Sequence, residues 1–286
     1  MKGYFIDFRQ QRDFGETLNA TFAFFRLNIG KLGKAMLFYT CPFLLIQGVA
    51  RVYYDLSFTE LTSLMIKQGP GVFFTRYFIT TFVLLITAFF SSLMTNLTVY
   101  SYIKLYAEKG KDGFVLEEVW GNIKRNLLRI GIASFISGII VLSGCMMCGI
   151  PGVYLFVSTS FVIMIMIYEG KAFRLAFKRS FALVHYHWWA VFLMLLVIYV
   201  IMNIVSLLFT IPQLVINSFY KINSLNPNYD NELIMYVMIM LTMLSTLAYG
   251  FLYSIMHIAL SFQYFSFIEQ KESPRLNKEI EAMEQG

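Results

Sequence analysis

Acidic residues are missing from long tracts of this chain: no Asp or Glu falls between Glu60 and Glu108, or between Glu118 and Glu169. Charge of either sign is scarce, at 14% of 286 residues, where soluble chains carry roughly 25%. Cysteine is limited to Cys41, Cys145 and Cys148, too few for a disulfide framework. A Gly-rich phosphate loop, an HExxH zinc motif and a GxSxG elbow are all lacking, which weighs against nucleotide chemistry and intramembrane hydrolysis. With no carboxylate inside the apolar runs, proton- or sodium-coupled transport loses its usual ligand. The opening residues MKGYFIDFRQQR are too polar for a cleavable leader. The first spanning helix is therefore expected to act as its own insertion signal.

What is present is apolar. Hydrophobic residues make up 58% of the chain and mean hydropathy is +0.63. Backbone groups in lipid must bond within their own segment, so the composition predicts an all-α polytopic membrane protein. Six spans are expected, at about 32–54, 72–100, 130–148, 152–168, 188–212 and 233–262. Three amphipathic helices, about 13–29, 114–129 and 171–185, each precede a pair of spans and are expected to lie at the interface. Together residues 1–268 read as one membrane domain, with 269–286 as a polar tail.

Local signals support these boundaries. Asp13 and Glu16 form a capping-box pattern, after which Leu18, Phe22, Phe25 and Ile29 recur at helical spacing. In the second amphipathic helix Leu116, Val119, Trp120, Ile123 and Leu127 share a face. In the third, Phe173, Phe177, Phe181 and Val184 do so. Ser134 and Gly138 make a small-xxx-small pair suited to close helix approach. Pro212 is expected to end the fifth span.

Lys and Arg set the orientation. Six lie in the N-terminal segment, six in 104–129, four in 171–179 and three in the tail, nineteen of the 23; Arg51, Lys67, Arg76 and Lys221 are the rest. Both termini are therefore expected in the cytoplasm, and the three helix pairs form parallel repeats. Mitochondrial carriers share that plan, but PFLLIQ, PGVYLF and PQLVIN lack the acidic signature that follows the carrier prolines.

The stretch from Pro151 to Trp189 carries a further pattern. Ile150-Pro151-Gly152, an apolar span, the Glu169-Gly170 break, and Ala176-Phe177-Lys178-Arg179-Ser180-Phe181-Ala182-Leu183 follow in order. Over residues 150–200 this resembles a bacterial family of six-span inner-membrane proteins, including the membrane domain fused to some glycerophosphodiester phosphodiesterases. The resemblance implies a bacterial inner-membrane location. No phosphodiesterase catalytic domain is present, so that activity is not implied.

Candidate sites are few. Asn96, Asn203 and His257 are polar residues inside spans, suited to a ligand or to bonding between helices. Lys124, Arg125, Arg129, Arg174, Lys178 and Arg179 form a basic collar that could hold anionic lipid or an acidic partner; ordinary topology determination also accounts for it. Cys145-Met-Met-Cys148 offers soft ligands for Cu(I) or a redox pair, but free cysteines also pack as hydrophobes. No cofactor or metal is expected, Cys145 and Cys148 being the residues that would carry one. His185 and His187, two apart on a helix, point in different directions and read as part of an interfacial belt with Trp188 and Trp189.

The leading expectation is a non-enzymatic inner-membrane protein that binds lipid or another membrane component, with a membrane-protein partner or a second copy as further candidates. The alternative is a transporter or channel for a small or lipidic solute. An enzyme survives only through the cysteine pair and His257. Nucleic acid is not expected, because topology explains the pI of about 9.1.

Overall fold

A computed structural model describes residues 6–68, 70–147, 149–223 and 232–272, and all regular structure among them is helical. The Asp13 cap forms as the sequence predicts: Asp13 Oδ1 accepts the Glu16 backbone N–H at 2.7 Å, and Glu16 returns a carboxylate oxygen to the Asp13 N–H at 3.1 Å. From it runs α1 (Phe14–Tyr39), followed by α2 (Cys41–Gln68) and α3 (Pro70–Lys109). Next come α4 (Leu116–Met146), α5 (Ile150–Thr159), α6 (Val162–Tyr168) and α7 (Phe173–Val184). A short 3₁₀ turn, His185–His187, leads into α8 (Trp188–Asn223), and α9 (Glu232–Glu272) completes the described chain.

Five segments are long and apolar enough to cross a membrane: α3, α4, α5 with α6, Phe173–Tyr220, and α9. A sixth is the bent pair Phe14–Tyr39 with Cys41–Ser57. Large side chains along them stay exposed, Phe78, Leu85, Leu128 and Leu208 each by more than 60%. Such an apolar exterior suits hydrocarbon rather than water. The protein is a multi-pass membrane protein.

Several boundaries differ from the sequence reading. Residues 13–29 are not a separate interfacial helix but the first part of α1, because nothing between Ile29 and Leu32 breaks the backbone ladder. The break falls at Thr40, where the two helices bend by 59°; Pro42 cannot donate to the Phe38 carbonyl one turn earlier. Residues 116–129 likewise continue into the third span as α4. The fourth span divides at Ser160–Phe161. Pro212 does not end the fifth span: it lies inside α8. Only α7 is set off from its span, by the 3₁₀ turn.

Helix approach is also placed differently. A Cβ at Gly138 would meet nothing within 4 Å. The close contact is at the α4–α5 hairpin, where a Cβ on Gly152 would lie 2.3 Å from Cys145 Sγ and 2.6 Å from its backbone nitrogen. Gly149 turns the chain there at φ 79°. In α7 the buried face is Ala176, Ser180, Leu183 and Val184. Phe173, Phe177 and Phe181 stay half-buried, in a ladder with centroids 5.8 and 4.8 Å apart. Small residues win the buried face because Ser180 can then donate to the Ser158 carbonyl at 2.7 Å.

The chain divides into two compact units. The first comprises Met1–Ala35, Asn96–Tyr199 and Ser254–Gly286; the second comprises Met36–Thr95 and Val200–Tyr253. The first unit's core is aromatic. Phe8 stacks on Phe262 at 4.2 Å and meets Phe24 and Tyr106 edge-on. Ser266 closes it by hydrogen bonds with both the N–H and the carbonyl of Arg12.

Candidate functional site

In the second unit α2 and α9 touch at two glycines. A Cβ on Gly48 would strike Met243 Sδ at 2.5 Å, and one on Gly250 would strike both Leu44 methyls at 2.5 Å. Beside this contact lies a cavity of about 570 Å³, lined from α2 by Gln47 and Arg51 and from α3 by Ser91, Ser92 and Thr95. From α8 it receives Asn203, Ser206, Thr210 and Gln213, and from α9 Ser245, Thr246 and the tyrosines Tyr249 and Tyr253.

Two glutamines organise the lining. Ser91 donates to Gln47 Oε1. Ser245 donates to Gln213 Oε1 at 2.7 Å, while Gln213 Nε2 donates to Thr242 Oγ1 at 3.2 Å. Gln213 lies ten residues before the end of α8 and Ser245 thirteen after the start of α9. At 1.5 Å per residue these are about 15 and 20 Å from the helix ends, inside the apolar segments. Pro212 adds an opening in the ladder, since it leaves the Leu208 carbonyl without its helical donor. Among the described residues of the lining Arg51 brings the only formal positive charge, 3.8 Å from Asp55. The cavity is therefore built mainly of neutral hydrogen-bonding groups, suited to a ligand rich in hydroxyl, carbonyl or ester oxygens.

The three intramembrane candidates do not share one unit. Asn203 lines this cavity; Asn96 and His257 belong to the first unit. There His257 is buried and its Nδ1 lies 2.8 Å from the Tyr100 hydroxyl, with the two rings packed edge to face at 5.1 Å. That geometry ties α9 to α3.

Of the basic collar, Lys124, Arg125, Arg174 and Lys178 are exposed and Lys124 lies over the Trp120 ring at 5.1 Å. Arg129 is exposed too, but it donates to the Gly170 and Lys171 carbonyls. Arg179 is turned inward. Its Nε donates to Glu169 Oε1 at 2.6 Å, the Tyr264 hydroxyl donates to the same oxygen at 2.6 Å, and Lys171 reaches Oε2 at 2.6 Å. Burial pushes the Glu169 carboxyl up, but these three donors outweigh it and hold it below the usual carboxylate range. Lys104 completes the fastening, donating to the Ile167 carbonyl at 3.0 Å. The Glu-Gly break is thus a bolted turn, and two of the collar's six cations serve it.

Cys145 is exposed, and Cys148 lies outside the described residues. Among the described residues no group of three His, Cys, Asp or Glu is arranged around a metal position. His187 stacks on Phe267 at 4.5 Å, and Trp188 on Tyr154 at 6.0 Å. Gln47, Gln213 and the Glu169 cluster were not among the sites expected from sequence. An amide inside an apolar run was the available signal for the two glutamines.

Comparison with known protein families, with curated proteins and with solved structures finds no match to this chain.

Proposed function

We propose that this protein is a non-enzymatic binder of an amphipathic membrane component, held with its polar head in the cavity of the second unit. The observation that supports this is the pair of hydrogen-bonded glutamines, Gln47 and Gln213, facing about 570 Å³ of space deep in the helices. Polar side chains at such depth are costly to insert and commonly mark a ligand path. The lining favours a neutral, oxygen-rich head, such as a glycerol ester or sugar, with Arg51 able to accept one negative charge. In the same reading both termini face the cytoplasm of a bacterial inner membrane, which the distribution of Lys and Arg supports.

Passage of such a molecule, rather than storage, is the second reading. Pro212 favours it, because an interrupted helix beside a polar cavity is a recurrent transporter feature. In place of the site first expected at Asn96, Asn203 and His257, this reading uses Asn203 with Gln47 and Gln213.

The test is extraction of the protein with its native lipids, followed by mass analysis of what it retains. The wild type should carry a stoichiometric neutral or singly charged amphiphile, and Gln47→Leu with Gln213→Leu should lose it. Equal retention by both proteins would reject the cavity as the binding site. Flux across proteoliposomes by the wild type but not the double variant would select transport over storage.

A further inference from the structure

The cavity of the second unit sorts its hydrogen-bonding groups into two walls. On the α2 and α3 side they are donors. Ser91 occupies Gln47 Oε1, so the two hydrogens of Gln47 Nε2 have no acceptor among the described residues. Ser92 lines the same wall, and its hydroxyl forms no hydrogen bond among the described residues. Arg51 stands one helical turn beyond Gln47 on the same face of α2. Its ionic contact with Asp55 spans 3.8 Å from Nε, too long for a hydrogen bond, and its side chain is 54% exposed. The guanidinium therefore has donors left for a guest.

The α8 and α9 side is the reverse. Ser206 donates to the Asn203 carbonyl at 2.8 Å, Thr210 to the Ser206 carbonyl at 3.1 Å, and Thr246 to the Thr242 carbonyl at 2.8 Å. Each hydroxyl has committed its hydrogen to its own helix, and its oxygen is left to accept. Gln213 is engaged at both ends of its amide, by Ser245 and Thr242.

This division selects the guest. A group with several anionic oxygens fits the α2–α3 wall, where a charged donor stands beside neutral ones. Hydroxyl groups fit the α8–α9 wall, because they can donate to its oxygens. An ammonium has no carboxylate to meet in the described lining.

We infer that the guest of this cavity is a singly charged phosphodiester whose head carries hydroxyl groups. Its phosphate oxygens lie against Arg51, Gln47 and Ser92, and its hydroxyls against Ser206, Thr210 and Thr246. A phosphodiester suits the donor wall better than a carboxylate, because it offers more oxygens to separate donor groups. Recognition of this kind rests on the binding site proposed above, and narrows its amphiphile from neutral or singly charged to singly charged.

The test uses full-length protein, delipidated in detergent and offered short-chain phosphatidylglycerol, phosphatidylethanolamine or diacylglycerol, with retained lipid read by native mass spectrometry. Phosphatidylglycerol should be retained about tenfold or more over each of the others, the scale of a hydrogen bond to a charged group. Arg51→Gln should bring phosphatidylglycerol down to the level of diacylglycerol and leave diacylglycerol itself unchanged. Ser92→Ala, which removes a hydroxyl without a protein partner, should lower phosphatidylglycerol retention at an unchanged melting temperature. Equal retention of the three lipids, or a phosphatidylglycerol preference that survives Arg51→Gln, would overturn the phosphodiester. If Gln47→Leu with Gln213→Leu still abolished retention, the cavity would stand as the binding site of another head. Retention that survives the double glutamine substitution would reject the cavity itself. Soluble glycerophosphoglycerol should displace the lipid only in large excess; displacement at equal concentration would overturn the lipid as the source of the phosphodiester.

Discussion

Ser245 gives its hydroxyl hydrogen to the side-chain carbonyl of Gln213 across 2.7 Å, so the residue after the α8 proline is held by α9. Gln213→Leu removes this bond and the one to Thr242. Both hydroxyls keep local acceptors, since Ser245 also lies 3.0 Å from the Thr242 carbonyl and Thr242 is within a continuous helix. The expected loss of stability is therefore small, about 1 kcal/mol, in line with side-chain bonds between membrane helices. Bound amphiphile should fall far more steeply than melting temperature. A large loss of stability with retained ligand would show that Gln213 is only a fastening.

The glycines of the α4–α5 hairpin make a paired prediction. Gly152→Ala places a methyl against the Cys145 backbone and should destabilise the protein by about 1–3 kcal/mol, the usual cost of overpacking. Gly138→Ala meets open space and should be neutral or stabilising by up to about 1 kcal/mol through helix propensity. Thermal melts in one detergent compare the two. Equal effects would contradict the placement of the close contact.

Glu169 should make stability depend on acid. Its folded carboxyl titrates below the ordinary value of 4.5, so its contribution is complete above that pH and is lost as pH falls through the lower folded value. Glu169→Gln should melt earlier than the wild type at pH 7, and the gap should narrow as pH falls below 4.5 and on through the lower folded value. A gap that stays constant from pH 7 to pH 3 would contradict the assignment of Glu169 as a bonded carboxylate.

Orientation is testable with reporter fusions. Fusions after residue 226 should report the periplasm, and fusions at the C-terminus the cytoplasm, following the distribution of Lys and Arg. The reverse pattern would put the Glu169 turn on the outer face.

The membrane class and the all-helical fold were legible because they rest on local signals: apolar runs, the Asp13–Glu16 cap, and the glycine turns. Helix ends were less so. Pro212 reads as a terminator by rules drawn from water, yet α8 passes through it, because lipid offers the backbone no alternative partner. Which side of α7 faces the protein was not legible from periodicity, for a related reason. Phenylalanine is welcome in lipid, so the largest apolar residues need not face the protein, and Ser180 and Ala176 take that place. Asn203 was found as a lone polar residue. Its companions Gln47 and Gln213 come together only through pairings that span 29 to 44 residues of sequence, which periodicity does not reveal.

The central claim is that the second unit's cavity holds an amphiphile by its head. It is tested most directly by photo-crosslinking in native membranes, with a lipid bearing a diazirine at the head end of its chain, and by mapping the labelled residues. The account predicts labels concentrated between Gln47 and Arg51 of α2, around Gln213 of α8, and between Thr242 and Tyr249 of α9, removed by Gln47→Leu with Gln213→Leu. Labels confined to the exposed apolar exterior, at Phe78, Leu128 or Leu208, and unchanged in the double variant, would contradict it.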